Sequence, residues 1–186
     1  MAFVLVFLIM AGIPFAVIYI FIFRIPKKTK EAFTVFVSQL GVTGFQTSKQ
    51  IITPDYTPRT WWYGDMHVGM WVDYQAEKLA LRVSRYDVTP QVFDFKNIQD
   101  FETIDGPGVV IVQRRAAQEL AKNIMIRLVL KNENGGINSV QMSLWNFGTL
   151  YGRPDANSKL YQRLLECSRA MRDELNHIMQ IKGQKQ

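Results

Sequence analysis

The sequence predicts an N-terminal transmembrane helix followed by an α+β domain. In that domain seven short antiparallel strands form a sandwich or barrel capped by a C-terminal amphipathic helix. Three observations carry this expectation. Residues 1–23 hold 21 apolar residues and no charge; from about residue 45 short alternating runs are separated by turn residues; and near the C-terminus apolar residues recur at spacings of 3, 4, 3, 4 and 3. With 186 residues, 48% of them apolar and 12% aromatic, the chain can bury a core, which excludes a disordered or low-complexity protein.

The first segment is interrupted only by Gly12 and Pro14. As a helix it would reach roughly 34 Å, enough to cross a hydrocarbon layer of about 30 Å. A secretory signal would need a basic leading region, a shorter apolar stretch and a small-residue cleavage site, none of which is present. Arg24, Lys27, Lys28 and Lys30 follow the segment directly, so the positive-inside rule places the C-terminal side in the cytoplasm. These four residues are the expected topology signal. The expected location is the bacterial inner membrane, single-pass, with the N-terminus outside.

Residues 24–44 form a basic juxtamembrane connector. Phe33, Val35, Phe36, Val37 and Leu40 supply its apolar content, and Gly41 and Gly44 punctuate its end. An interfacial helix, a continuation of the anchor and a helix covering the domain all fit, although the β-branched residues weaken helix formation.

The domain then occupies residues 45–186. Strands are expected at about 66–73, 78–83, 89–95, 98–104, 109–112, 123–130 and 137–144. Lys78 to Val83 alternates polar with apolar, and only Tyr74, Gln75, Ala76 and Glu77 separate it from the preceding run, which predicts a hairpin. Asp105-Gly106-Pro107-Gly108 and Asn132-Glu133-Asn134-Gly135-Gly136 read as turns. Tyr161, Leu164, Ser168, Met171, Leu175 and Ile178 then fall on one face of a helix spanning about 157–180. Asp155, Asn157 or Ser158 can cap its start. The stripe suits capping of an open barrel end or a two-helix coiled coil.

Thr47-Ser48-Lys49-Gln50-Ile51-Ile52, Trp71-Val72-Asp73 with Lys78-Leu79-Ala80-Leu81, Phe93-Asp94-Phe95-Lys96-Asn97-Ile98, Phe101-Glu102 and Asp105-Gly106 together resemble a bacterial pleckstrin-homology-like family. The resemblance covers residues 45–180. It departs from the family at Phe95 and Asn97, where Tyr and Asp are expected, and at 113–122, which replaces a glycine-rich connector. The resemblance implies a membrane-anchored binding or scaffolding module, with no catalytic residues to carry over. Eukaryotic relatives bind phosphoinositides through a basic first hairpin loop; here that loop is acidic on balance.

The formal charge of +6 is concentrated at the two ends: residues 32–156 contain twelve basic and twelve acidic side chains. A nucleic-acid partner is therefore not expected. One cysteine and two histidines exclude an intramolecular disulfide and a multi-ligand Cys/His zinc site, and neither metal nor cofactor is expected. Residues 41–49 lack the Gly-Lys-Ser/Thr order of a phosphate loop. Asp100 and Glu102 share a strand face and read as an acid/base pair or as a solvated pair. Trp61, Trp62 and Tyr63, with Trp71 and Trp145, read as core or as an exposed anchor for a partner. Arg82, Arg85, Arg114 and Arg115 complete the candidate partner or anion surface, with a solvated strand face as the alternative.

The expected function is that of a scaffold docking partner proteins at the cytoplasmic face of the membrane, as a small subunit of a larger membrane complex. The expected partners are the lipid bilayer and proteins of that complex. A lipid-headgroup or small-ligand sensor is the second expectation and a membrane-bound enzyme the third.

Overall fold

A computed structural model describes residues 12, 13, 15, 16, 19, 24–54, 67–105, 109–113, 116–120, 124–131, 134–145 and 157–184. The first long element is helix α1, Ile25–Val42, with Pro26 in its opening turn. Thr29, Phe33, Phe36 and Leu40 recur at spacings of 4, 3 and 4, and the last two are buried. Tertiary packing of this stripe outweighs the weak helix preference of Thr34, Val35 and Val37. Thr43 closes the helix, its hydroxyl donating to Leu40 O at 2.7 Å, and Gly44 follows at φ 73, a backbone conformation that favours glycine.

Nine strands follow among the described residues: β1 Lys49–Ile52, β2 Gly69–Asp73, β3 Lys78–Arg82, β4 Gln91–Asp94, β5 Ile98–Asp105, β6 Val109–Gln113, β7 Ala116–Leu120, β8 Ile124–Lys131 and β9 Ile137–Trp145. They fall into a four-stranded sheet ordered β1-β2-β3-β4, a three-stranded sheet ordered β5-β8-β9 and a two-stranded ribbon of β6 with β7. This overturns the expected seven-stranded sandwich or barrel. After β4 the chain makes a 3-10 turn at Phe95–Asn97 and starts a second sheet, while β6 and β7 pair with each other. Two strands were not expected. β1 has only four residues, and β7 reads Ala-Ala-Gln-Glu-Leu, without β-branched residues or alternation.

The β2–β3 hairpin pairs Asp73 with Lys78 across the turn 74–77. Its register places Met70, Val72, Leu79 and Leu81 on one face, where they share a core with Ile98, Ile126, Leu128, Leu130 and Met142 of the second sheet. Trp71 and Ala80 point the other way, against Phe36, Leu40 and Phe45. Trp71 and Phe36 stack with ring centroids 4.8 Å apart. The four-stranded sheet is therefore covered on both faces, which accounts for the continuous burial of β2. Gly69 lets β1 approach: a Cβ there would lie 2.5 Å from Ile51 O.

Helix α2, Lys159–Gly183, packs across β1, β5, β8, β9 and the 3-10 turn. Ser158 caps it by accepting from Tyr161 N at 3.3 Å. Tyr161, Leu164, Ser168, Met171, Leu175 and Ile178 are all buried against the shared core.

No helix among the described residues is long and apolar enough to cross a membrane. This overturns the expected single-pass anchor, and with it the membrane assignment and the inner-membrane location. Of residues 1–23 only Gly12, Ile13, Phe15, Ala16 and Tyr19 are described, all helical; the rest of that expectation lies outside the described residues. The basic cluster belongs to the opening turns of α1, a helix that uses its apolar stripe to cover a sheet.

Candidate functional site

The two sheets part company along β4 and β9. On β9 the side chains opposite the buried row of β8 are Asn138, Val140 and Met142. Met142 is buried, Val140 half-buried and Asn138 exposed, so the core opens towards the start of the strand. Facing this opening, Phe93 of β4 is also half-buried, while Val92 turns the other way, onto the cluster under α1. The result is an open groove of about 480 Å³ floored by Leu130, flanked by Phe93 and Val140, and bordered by Asn97, Asn138 and Ser139. Lys131 is the one charged residue among the described residues of its lining. Apolar walls with a polar rim suit binding of a side chain or short segment.

Three buried polar centres lie away from this groove, around the β2–β3 hairpin and the two helices. Arg82 ends β3 and is fully buried beneath α1. It donates from Nε to Asp87 O at 3.0 Å, from one terminal nitrogen to His67 O at 2.8 Å and from the other to Arg85 O at 2.6 Å. The guanidinium also lies over Phe33 at 5.4 Å and Phe36 at 5.7 Å, and Phe33 stacks on His67 at 4.7 Å. One cation thus ties α1 to the loops at both ends of the central hairpin.

Asp73 is buried at the β2–β3 turn, accepting from Gln46 N at 2.7 Å and Ala76 N at 2.9 Å. Desolvation pushes its carboxyl pKa upward, but backbone donation from Ala76, Gln46 and Gln75, with the Lys78 charge, outweighs it and holds the group below its ordinary value.

Glu174 of α2 is the third centre. It receives Lys49 Nζ at 2.5 Å and the Tyr74 hydroxyl, and Tyr74 stands edge-on to Phe95 and His177. Burial, followed by the Glu174 hydrogen bond and charge, pushes the Tyr74 hydroxyl up to about 12. A phenol held protonated that far is a structural donor at neutral pH rather than a base. Burial likewise raises the Cys167 thiol to about 11, which suppresses the nucleophilic thiolate. Glu102 pairs with Arg127 directly across the β5–β8 ladder at 2.5 Å, and Asp100 accepts from Phe101 N. Among the described residues no group of three His, Cys, Asp or Glu side chains could hold a metal ion.

The sequence-derived candidates are not brought together. Arg82 is enclosed in the fold, and half-buried Arg85 lies 5.1 Å from the Tyr86 ring centroid. Arg24, Lys27, Lys28 and Lys30 are exposed on α1, Lys27 pairing with Glu31 at 3.9 Å. Trp61, Trp62, Tyr63, Arg114 and Arg115 lie outside the described residues. Trp71 is core, its indole donating to Gln50 Oε1 at 3.2 Å. Sequence reasoning missed the groove because β4, β8 and β9 contribute to it from separate stretches of chain. The available signal was the absence of any charge from Ile137–Trp145.

No family model matches the chain, and no curated protein or solved structure is detectably similar to it.

Proposed function

We propose that this chain is a binding module that docks a partner protein through the groove between β4 and β9. The observation that carries the reading is the groove itself: about 480 Å³, with half-buried Phe93 and Val140 presented beside polar Asn138 and Ser139. Partner surfaces are recognised by such combinations of an apolar anchor site and a rim of hydrogen-bonding groups. Tyr74 and Cys167, both with raised pKa values, favour recognition over chemistry.

The test is site-directed photo-crosslinking of the full chain. A photoreactive phenylalanine at Gln91 or Ser139 is expected to give a discrete adduct with one partner protein, whereas the same group at exposed Arg163 on α2 gives none. Identical adducts from all three positions, or no adduct from the groove positions, would overturn the reading.

A further inference from the structure

In the two larger sheets the strand order leaves four strand edges open among the described residues: β1 and β4 on one sheet, β5 and β9 on the other. An open edge presents unpaired backbone N–H and C=O groups and is a template for another strand unless it is short, charged, bulged or covered. Three of the four edges are guarded in this way. β1 and β4 are four residues long and carry Lys49 and Asp94 respectively, and β1 also lies against α2. β5 carries Asp100, Glu102 and Asp105, with a register shift between Ile98 and Asp100.

β9 also meets α2, but along most of its length it is neither short, charged nor bulged. It is nine residues long, Ile-Asn-Ser-Val-Gln-Met-Ser-Leu-Trp, without a charge or a proline. Its register with β8 is regular from Met125↔Ser143 to Lys131↔Ile137. Ile137 is 72% exposed, and Asn138, Ser139 and Gln141 are exposed as well. In an antiparallel pair every second residue turns its backbone groups away from its neighbour. Along residues 137–141 no described strand pairs with that side of β9, and a strand laid there would insert alternate side chains towards Val140, Phe93 and Leu130.

The charge of the groove selects among such strands. Lys131, at the end of β8 and opposite Ile137, is exposed; among the described residues it is the only charged one lining the groove, and it forms no salt bridge. A carboxylate on the incoming segment would gain a charge-assisted contact there, and an ammonium would be repelled. We propose that β9 accepts an extended acidic segment of a partner protein as an added strand. This rests on the docking-module reading and gives it a mode and a partner chemistry.

The test titrates the isotope-labelled full chain with the octapeptide acetyl-Thr-Val-Asp-Val-Thr-Val-Asp-Thr-amide and with its counterpart carrying Lys in place of both Asp residues. Amide shifts and slowed hydrogen exchange are expected to centre on residues 137–141, with the acidic peptide binding about tenfold tighter, and Lys131→Glu should reverse that preference. Because outward N–H groups alternate, one of the pair Asn138→Pro and Ser139→Pro removes only an outward donor and spares the β8 ladder. That variant should fold and lose the peptide.

Equal affinity for the two peptides, responses away from β9, no response at millimolar peptide, or a dimer of the chain paired through β9 would each overturn the proposal. If the folded proline variant still forms the partner adduct at Gln91, strand addition fails while groove docking stands. If no position in the groove captures a partner, the docking reading itself fails.

Discussion

Lys49 of β1 and Glu174 of α2, 125 residues apart in sequence, meet at 2.5 Å. The two ends of this contact differ: the Lys49 side chain is 52% exposed and that of Glu174 only 2%. The carboxylate has therefore left water while its counter-ion has not, and its remaining stabilisation comes from the Tyr74 hydroxyl.

Removing the cation should then cost more than an ordinary surface pair would suggest. Lys49→Met is expected to lower stability by about 2 kcal/mol, because it strands a buried charge. The double variant Lys49→Met/Glu174→Gln should be more stable than Lys49→Met alone, since a neutral amide needs no cation and still accepts from Tyr74. Urea denaturation of the four members of the cycle measures this; a double variant no better than the single one would assign the contact to the surface.

Tyr74 makes stability depend on alkaline pH. Its hydroxyl is held protonated up to about 12 against an ordinary value of 10.0. Because the folded-state value is the higher, the contribution is complete below about 10 and disappears as pH rises through about 12. Tyr74→Phe should therefore unfold with a shallower loss of stability over that window than the parent chain. Denaturant midpoints at a series of pH values, with phenolate absorbance recorded in parallel, supply the comparison. Parallel curves for the two proteins would contradict the assignment.

Arg82 is expected to resist even its nearest substitute. Lysine keeps the charge but lacks the planar fork that reaches three carbonyls while lying over Phe33 and Phe36. Arg82→Lys should cost about 2–3 kcal/mol and speed amide exchange in α1 before it does so in α2. Uniform acceleration across both helices would show that Arg82 acts on the whole fold rather than on the docking of α1.

The parts of this fold legible in the sequence are those whose periodicity is read within one element. The stripe from Tyr161 to Ile178 is buried residue for residue, and the four residues between Asp73 and Lys78 form the turn. Arg82 was unreadable for a physical reason. Lys78, Ala80 and Arg82 share the polar side of an alternating strand, which ordinarily faces water; here α1 covers that side, and Phe33 and Phe36 replace solvent around the guanidinium. The same helix explains why Trp71 is core. The groove escaped detection because its walls belong to two sheets, and the pairing that leaves β4 and β9 at their edges is set by long-range contacts. β7 took its conformation from β6, against its local preference for helix.

The order of elements also sets a schedule, because every described strand precedes α2. A ribosome delivering about 5–20 residues per second completes those strands before it supplies Leu164, Met171, Leu175 and Ile178, which close the shared core. Until then the inner faces of both sheets are exposed together with the uncharged edge of β9. The nascent chain is thus most adhesive just before α2 emerges, and docking of that helix covers the inner faces.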